Sequence, residues 1–513
     1  MRADSVPAPG PSHRALWLAV SLACLALHLS ALTQYGWFRD EFYYMACAAR
    51  LDWGYVDHPP LSIAVLTVLR TFFGDSLIAI RLAAALLGAA AVYLTARLAG
   101  ELGGGRFAQL LAGLAALVAP VFLGVSRFYS MNVLDLLLWT MAALALVSAL
   151  RTARTSDWIW LGIVVGLGLL NKLSMLWFGA GLFAGLLLTP HRRQLATPGP
   201  WVALAVTAAL FAPHVAWQMA HGWPTLEFMR NATGHKMAPV SIIGFLLGQF
   251  QVMGPGNLLV YLPGLAFALF SRAGRPWRLL GILFVAVAAV LIFAGTSRPS
   301  YLAVAYPMLF ALGGVAWEHW SRRRPATIRT SLVAAVTLFS LPLAPIAIPM
   351  LPVESFIRYQ TAIGLSPSTE ERKDVGPLPQ GYADMFGWPD LVTAVAKASD
   401  RLTIEERRKA VVFGQNYGEA GAIDVLGRRL GLPRAISGHN NYWLWGPGDW
   451  DGRVMIIIGG DADDNASFFE SVERVGVWDH PLAMPYERGL DISIARGFKG
   501  SPREAWPQLK NYN

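Results

Sequence analysis

The chain has 513 residues, of which 55% are hydrophobic and 15% are charged, and its formal net charge is +9. A soluble globular domain usually has about 25% charged residues. The composition therefore excludes a disordered, coiled-coil or disulfide-stapled protein and indicates a chain that is embedded in a membrane.

The charge is distributed unevenly along the sequence. Residues 1–350 carry 24 basic and 11 acidic side chains, whereas residues 351–513 carry 18 basic and 22 acidic ones. About a quarter of the tail is thus charged, as in a soluble domain. We predict a membrane part at 1–350, a Pro- and charge-rich linker at 351–380 and a globular domain at 381–513. Because the positive excess belongs to the membrane part, no nucleic-acid partner is expected.

The membrane part begins with a basic segment and an apolar run from Ala15 to about Leu32. No small-residue cleavage site ends the run, which favours a retained first span over a signal peptide. A shorter run at 59–73 predicts a helix lying in the membrane interface. Eleven stretches approach the length needed to cross a bilayer: 15–34, 77–99, 107–126, 131–150, 157–171, 174–190, 200–217, 246–270, 278–296, 302–319 and 328–350.

Basic residues favour one side of these spans. The N-terminus and alternate connections hold 15 of them, and the longer connections of the opposite set hold 8. The side with more basic residues is normally cytoplasmic. We therefore expect a cytoplasmic N-terminus and, with eleven spans, a C-terminal domain outside the cytoplasm.

The first outer loop contains two groups of acidic residues. Asp40 and Glu41 lie among aromatic residues directly after the first span, and Asp57-His58 precedes two prolines. Two adjacent acids can simply cap an interfacial helix, because helix N-termini favour negative charge. Asp135 lies about one turn inside a predicted span, where a carboxylate costs roughly 2.5–3.5 kcal/mol and usually has a partner or a function.

Every short outer connection carries an ionisable residue, including Arg127, Lys172 and Arg298. Cations could hold a phosphate while a carboxylate performs proton chemistry. This arrangement favours an enzyme acting on a phosphate-bearing lipid. A transporter would place such groups near the bilayer midplane, often in repeated halves, and the sequence shows no convincing repeat. A transporter or flippase of a lipid-linked or anionic solute remains the alternative, and a non-catalytic sensor is a third hypothesis.

The runs 38–44 and 54–61 resemble the first extracytoplasmic loop of polytopic glycosyltransferases of the GT-C fold. These include the protein O-mannosyltransferases and the bacterial aminoarabinose transferase that modifies lipid A. The similarity covers roughly residues 15–320. It implies an α-helical polytopic protein of about eleven spans in the bacterial cytoplasmic membrane. It further implies transfer of a sugar, with inversion, from a polyprenyl-phosphate donor to a hydroxyl of a lipid, glycan or protein acceptor.

The resemblance also implies roles for individual residues. Asp40 would deprotonate or orient the acceptor, and Glu41 and Asp135 would position Asp40 or the donor sugar. The donor phosphate would be held by His58, Lys172, Arg298 and Arg127. The expected substrate-binding residues are Tyr44, Asp57, Tyr129, Asn132, Trp217 and Tyr301.

A divalent metal ion is a possible cofactor, and no other is expected. In the aminoarabinose transferases a metal lies between the acid of this motif and a loop histidine. The matching residues are Asp57 with His221 or His235. Ligands so far apart in sequence are weak evidence, and these histidines could equally be hydrogen-bonding residues.

The tail alternates strand and helix patterns. Strands are predicted at 409–413, 435–437, 454–458 and 490–494, and helices at 416–430 and 466–475. This order predicts a small α/β domain with a partly parallel sheet. We expect it to support acceptor binding. The aromatic cluster around Tyr442 and Trp450 is interpreted as core.

Overall fold

The computed structural model describes residues 6–513, and its first two thirds are helical. The helices of this part, excluding short 3-10 turns, are α1 (Arg14–Leu29), α2 (Arg39–Ala48), α3 (Leu61–Phe73), α4 (Leu77–Glu101), α5 (Arg106–Val118), α6 (Pro120–Ser126), α7 (Met131–Thr152), α8 (Thr155–Asn171), α9 (Met175–Leu187), α10 (Pro198–Ala220), α11 (Pro224–Asn231), α12 (Ile242–Met253), α13 (Leu258–Phe270), α14 (Arg278–Phe293), α15 (Tyr306–Ser321), α16 (Ala326–Ser340) and α17 (Ala344–Ala347).

The protein is a multi-pass membrane protein. Each of the eleven predicted stretches is helical in the structure. Among the described residues, six helices are long and apolar enough to cross a bilayer, and two bent helix pairs raise the number to eight. The other three, α1, α8 and α9, have 16, 17 and 13 residues and are shorter than a full span.

Two of the predicted spans are bent in the structure. Helices α5 and α6 meet at 61° before Pro120, and α12 and the helical segment 255–270 meet at 104° before Pro255. Proline has no backbone N–H and its ring collides with the preceding turn, so it breaks a continuous helix. The predicted spans at 107–126 and 246–270 are therefore each broken at a proline.

Helices α2 and α3 connect the first two spans. Helix α3 exposes Val68, Phe72 and Phe73, at 57%, 76% and 61% of their surface. Its opposite face, with Ile63 and Leu66, is buried. A short helix with one exposed apolar face suits the membrane interface, as the sequence predicted.

The C-terminal part forms an α/β unit with a five-stranded sheet among the described residues. Its helices are α18 (Val353–Ala362), α19 (Gln380–Ala383), α20 (Trp388–Ser399), α21 (Ile404–Lys409), α22 (Tyr417–Leu426), α23 (Asn441–Trp445), α24 (Ala462–Ala466) and α25 (Pro502–Ala505). Its strands are β1 (Val411–Phe413), β2 (Ala435–Ile436), β3 (Val454–Ile458), β4 (Phe469–Trp478) and β5 (Leu490–Phe498).

The sheet order is β2-β1-β3-β5-β4. Strand β1 pairs in parallel with β2 and β3, whereas β5 pairs antiparallel with β3 and β4. The expected partly parallel sheet is thus present. The helix predicted at 466–475 is wrong, because most of that segment belongs to strand β4, where Val472 faces Ala495 of β5. The linker is also not wholly irregular, since it contains α18.

The C-terminal unit packs directly on the first loop of the membrane part. Helix α22 crosses α2 so closely that a Cβ added to Gly421 would lie 2.8 Å from Cβ of Phe42. Asn441 accepts hydrogen bonds from the Tyr43 hydroxyl (3.0 Å) and the Val56 amide (2.7 Å). Residues of both parts share one apolar core. We call the membrane side that carries this unit the domain face.

Candidate active site

Asp40 lies in the first turn of α2, where its charge is favoured by the helix dipole. About 36% of its side chain is exposed. Its Oδ1 accepts a hydrogen bond of 2.9 Å from the hydroxyl of Tyr417, the first residue of α22. The Nε of Arg39 lies 3.7 Å from the same oxygen. A residue of the membrane part is therefore held by a residue of the C-terminal unit.

Glu41 is buried behind Asp40. Its Oε2 lies 3.0 Å from Nη2 of Arg81 and accepts a hydrogen bond of 2.9 Å from the Phe38 amide at the start of α2. Both side chains of the Glu41–Arg81 pair are 1% exposed. Glu41 thus fixes α2 to α4, and its contacts make it a residue that positions Asp40.

A cavity of about 480 Å³ lies beside Asp40, between the two parts of the chain. We call it the chamber. The two residues that contact Asp40, Arg39 and Tyr417, both line it. Its other charged or titratable lining residues are His235, Lys236, Arg372, Lys373, Glu419, His439 and Tyr486. The chamber is accordingly rich in cations.

A smaller cavity of about 120 Å³ brings together five of the residues predicted to bind or position the substrate. We call it the inner pocket. Water occupies roughly 30 Å³, so a phosphate group would fit. The predicted residues that line it are Asn132, Asp135, Lys172, Arg298 and Tyr301.

Lys172 is the centre of the inner pocket. Its Nζ donates to Oδ1 of Asn132 at 2.8 Å and lies 3.7 Å from Oδ2 of Asp135. The Ser174 hydroxyl lies 2.7 Å from both Asp135 carboxylate oxygens. Burial lowers the pKa of Lys172, and the nearby Arg298 adds to that effect while Asp135 opposes it. The second cation therefore favours an additional anion here.

Residues 369–373 of the linker separate the chamber from the inner pocket, and we call this segment the strap. Arg298 lies 3.1 Å from Oε1 of Glu371 and 3.5 Å from Oε2 of Glu370. Lys236, on the chamber side, lies 3.8 Å from the same Glu371 oxygen. The Arg372 amide donates to the Lys236 carbonyl at 3.0 Å, which fixes the strap. Glu370 and Glu371 thus neutralise the charges of Arg298 and Lys236, which lie between the two cavities.

Two of the residues predicted to hold the donor phosphate, His58 and Arg127, line neither cavity. His58 is buried, with Nε2 at 3.8 Å from Oδ1 of Asp57 and its ring stacked on Tyr44. Arg127 is half-buried and donates to the carbonyls of Ala347 and Gly381. The expectation that His58 and Arg127 join Lys172 at one phosphate site is therefore not met.

Three of the four aromatic residues predicted to bind substrate, Tyr44, Tyr129 and Trp217, line neither cavity. The Tyr129 hydroxyl donates to the Ser62 carbonyl at 2.7 Å, and the Tyr44 hydroxyl accepts from the Met131 amide at 3.1 Å. Trp217 is 7% exposed and stacks on His221. These three side chains shape the scaffold around α2.

The residues proposed to bind a metal do not fit one. Within residues 6–513 no group of three or more His, Cys, Asp or Glu side chains could hold a metal ion. His221 contacts the carbonyl of Trp217 through Nδ1, and His235 lines the chamber. Asp57 instead accepts a hydrogen bond from Tyr43 at 2.8 Å. The predicted set of Asp57, His221 and His235 is therefore not assembled as a metal site.

Three residues around the two cavities were not predicted: Tyr417 and Lys236 line the chamber, and Glu371 lies in the strap. Lys236 carried a signal, because it is a cation on the side of the membrane with few cations. Glu371 carried none, since an acid in a charged linker is usually solvated. Tyr417 follows Asn416, whose side chain caps the N-terminus of α22.

The C-terminal unit also buries acids beside the chamber. Burial raises the pKa of Asp384 to about 6, although Arg39 lies 3.8 Å away and opposes the shift. Burial also raises the pKa of Glu419, and the neighbouring Glu487 adds to that effect. Asn416 donates to both glutamates, at 2.8 and 2.9 Å. Two carboxyl groups this close disfavour each other's ionisation.

Comparison with known proteins agrees with this geometry. Residues 57–217 match the family model described as dolichyl-phosphate-mannose-protein mannosyltransferase. This range includes Asp135 and Lys172. No curated protein sequence is significantly similar to the chain.

Solved structures resemble nearly the whole chain. The apo crystal structure of ArnT from Cupriavidus metallidurans is 16% identical with a TM-score of 0.58, over 93% of this chain and 97% of that one. The crystal structure of the same protein bound to undecaprenyl phosphate is also 16% identical, with a TM-score of 0.57, and the match again covers 93% of this chain and 97% of that one. The chain thus has the fold of these structures.

The GT-C fold recurs in more distant structures. Archaeal oligosaccharyltransferase AglB from Archaeoglobus fulgidus, in complex with an inhibitory peptide and a dolichol-phosphate, is 11% identical with a TM-score of 0.50. The match covers 86% of this chain and 69% of AglB. The fold of this chain thus recurs in proteins of low sequence identity.

Proposed function

We propose that this GT-C protein transfers a sugar from a polyprenyl-phosphate donor to a hydroxyl of a lipid, glycan or protein acceptor, with inversion. The observation that carries the proposal is the placement of a partly exposed carboxylate, Asp40, across the strap from the cation pair Lys172 and Arg298. Lys236 lies within electrostatic range of both Asp40 and Arg298.

The inner pocket suits the donor phosphate. Lys172 and Arg298 supply two positive charges, and guanidinium and ammonium groups bind phosphate oxygens strongly when partly buried. The same pocket has apolar walls, formed by Phe122, Val125, Leu136 and Val304. These walls would contact the first carbons of the lipid tail.

The chamber suits the acceptor. The Tyr417 hydroxyl donates a hydrogen bond to Oδ1 of Asp40. The other carboxylate oxygen, Oδ2, then accepts the proton of the acceptor hydroxyl. The hydroxyl oxygen then forms a bond to the sugar C1 as the bond from C1 to the phosphate oxygen breaks. The polyprenyl phosphate leaves with its negative charge beside Lys172 and Arg298. A single displacement of this kind inverts the configuration at C1.

Purified protein tests this assignment directly. We expect Asp40→Asn to lower transfer from a panel of polyprenyl-phosphate sugars by at least about 100-fold, as loss of a general base does. Asp52→Asn is the matched control, because Asp52 is exposed in the same loop. Retained transfer in Asp40→Asn would refute the assignment of the base. If the wild-type protein consumes no donor, the transporter or flippase hypothesis gains support.

We further propose that the domain face is the outer face of the bacterial cytoplasmic membrane and that the N-terminus is cytoplasmic. The natural cysteines, Cys24 and Cys47, are buried. Variants with a new exposed thiol, Asp390→Cys in the C-terminal unit and Arg193→Cys in a basic connection, can therefore be labelled in intact cells. An impermeant maleimide should modify only Asp390→Cys, and the reverse result would invert the orientation.

A further inference from the structure

A second cavity of the domain face lies at the far end of α2 from Asp40. Its volume is about 340 Å³, and it forms where the end of α2 and α3 meet α22 and the segment before β2. Asp40 begins α2 and Arg50 follows its end, so at 1.5 Å per residue the two sites are roughly 15 Å apart. We call it the arginine cavity.

Four arginines line this cavity over a largely apolar floor. Each part of the chain supplies two of them, and the floor includes Met45, Ile423, Val425 and Leu432. The arginines are Arg50, Arg70, Arg428 and Arg434. Guanidinium groups are the side chains best suited to bind phosphate oxygens in pairs.

Two of these arginines already have carboxylate partners. Arg70 lies 2.7 Å from Asp75 and also donates to the Met45 carbonyl, and Arg434 lies 3.0 Å from Asp449. Their contacts hold them in place and neutralise their charge. They thus form a fixed rim.

The positive charges of the other two arginines, Arg50 and Arg428, are not fully neutralised. Among residues 6–513, no carboxylate lies within 4 Å of Arg50 or Arg428, although the Arg50 guanidinium lies 4.2 Å from the centre of the Trp445 ring. Asp424 also lines the cavity and lies within electrostatic range of both arginines, so its single negative charge offsets one of their two positive charges. The cavity therefore attracts an anion.

Exposed apolar residues surround the same arginines. Phe73 lies one turn after Arg70 on α3 and is 61% exposed, while Leu51 and Leu430, next to Arg50 and Arg428 in sequence, are 55% and 57% exposed. Basic and large apolar side chains side by side are typical of surfaces that lie in the headgroup layer. The ligand should accordingly have both a phosphate and an apolar part.

We propose that the arginine cavity binds the phosphate of an anionic phospholipid headgroup. Arg50 and Arg428 donate to the phosphate oxygens, and the apolar floor and rim contact the glycerol and the first acyl carbons. Because one of these arginines comes from the first loop and the other from the C-terminal unit, the bound lipid joins the two parts at the membrane surface. This site is independent of sugar transfer.

Native mass spectrometry of the full-length protein in detergent tests the site. Phosphatidylglycerol is titrated against phosphatidylcholine, and the bound lipid is counted. A basic residue near a lipid surface contributes about fivefold, so Arg50→Ala/Arg428→Ala should bind phosphatidylglycerol roughly 20-fold more weakly. Arg429→Ala is the matched control, because Arg429 is exposed in the same turn but does not line the cavity.

Three outcomes would overturn the proposal. They are an equal loss in Arg429→Ala, no loss in the double variant, and displacement of the lipid by inorganic phosphate at comparable concentration, which would indicate a site for the free ion. The double variant Arg50→Lys/Arg428→Lys separates charge from folding. It should keep the wild-type melting temperature and recover part of the affinity, whereas no recovery at an unchanged melting temperature would also count against the proposal.

Discussion

At the residue scale, Asp40 depends on a side chain more than 370 positions away. The Tyr417 hydroxyl donates to Oδ1 of Asp40 across the contact between α22 and α2, and the Arg39 guanidinium lies 5.3 Å from the centre of the Tyr417 ring. Tyr417 is 6% exposed. A hydrogen bond to a charged group in such a place contributes about 1.5–3 kcal/mol.

Replacing Tyr417 should therefore weaken catalysis more than binding. We expect Tyr417→Phe to lower kcat about 10- to 100-fold with little change in the KM for the donor, because the hydroxyl orients the base and does not touch the donor. Steady-state kinetics of transfer measures both values. Tyr359→Phe, which removes an exposed hydroxyl bonded to the Pro342 carbonyl, is the control. A rise in KM alone would argue against the positioning role.

At the scale of elements, α2 owes its position to one buried ion pair. Arg81 of α4 contacts Glu41 and also donates to the carbonyls of Leu32, Gln34 and Gly36, which hold the segment before α2. Breaking a buried pair leaves an uncompensated charge and costs about 3–5 kcal/mol.

Arg81→Met should consequently lower the thermal stability of the protein in detergent strongly. Arg97→Met is the matched control, because Arg97 lies on the same helix in a pair with Glu101 in which its side chain is 46% exposed. Exposed pairs contribute at most about 1 kcal/mol. Similar melting temperatures for the two variants would show that the Glu41–Arg81 pair does not anchor α2.

The strap is the second element with a direct effect on the site. Glu371 is 8% exposed and contacts both Arg298 and Lys236, so it occupies cations that the donor phosphate would use. Opposite charges also lower the pKa of Glu371, although burial acts the other way. It is therefore ionised at neutral pH and competes with the phosphate.

We expect Glu371→Gln to lower the KM for the polyprenyl-phosphate donor several-fold, because the donor no longer has to displace a carboxylate. Glu405→Gln provides a control at an exposed acid of the C-terminal unit. Donor titrations of both variants supply the comparison. A higher KM in Glu371→Gln would mean that the carboxylate holds the cations in position for the donor.

At the scale of the whole molecule, the contact between the two parts should depend on pH. Asp384 of the C-terminal unit lies 3.8 Å from Arg39 of the membrane part, and its backbone carbonyl accepts from the Arg39 amide at 3.0 Å. Burial raises the pKa of Asp384 from 3.8 to about 6, so the folded protein binds this proton more tightly than the unfolded chain does. The resulting stabilisation is complete below about pH 4 and is lost as the pH rises through about 6.

Melting temperatures measured from pH 4 to 7 should show this loss, and Asp384→Asn should reduce the slope. Asp390→Asn, at an exposed position of α20, should leave the slope unchanged. The pair Glu419 and Glu487 contributes in the same direction, because burial raises both pKa values. A slope in Asp384→Asn equal to that of the wild type would exclude Asp384 as its source.

Much of the architecture can be predicted from sequence because it depends on local composition. Apolar stretches near the length of a bilayer gave helices, and the alternating strand and helix patterns of the tail gave an α/β fold with a partly parallel sheet. Predictions from local sequence patterns failed where a segment distant in sequence determines the secondary structure. Segment 469–478 has the apolar spacing of a helix but forms β4 because β5 offers it a paired edge. Proline bends were likewise underestimated, since hydropathy does not record a missing backbone donor.

The sequence by itself determined that this is a membrane protein, and it predicted a site at one face that contains Asp40, Asp135, Lys172 and Arg298. The reason is that charges are costly near lipid, so the few present stand out. Only the tertiary structure decided which of them meet. Burial and hydrogen bonding assigned Glu41 and Arg127 to the scaffold, and the contact of α22 with α2 brought Tyr417 to Asp40. The net charge of +9 could not predict these contacts, because it does not depend on where the charged residues lie in the structure.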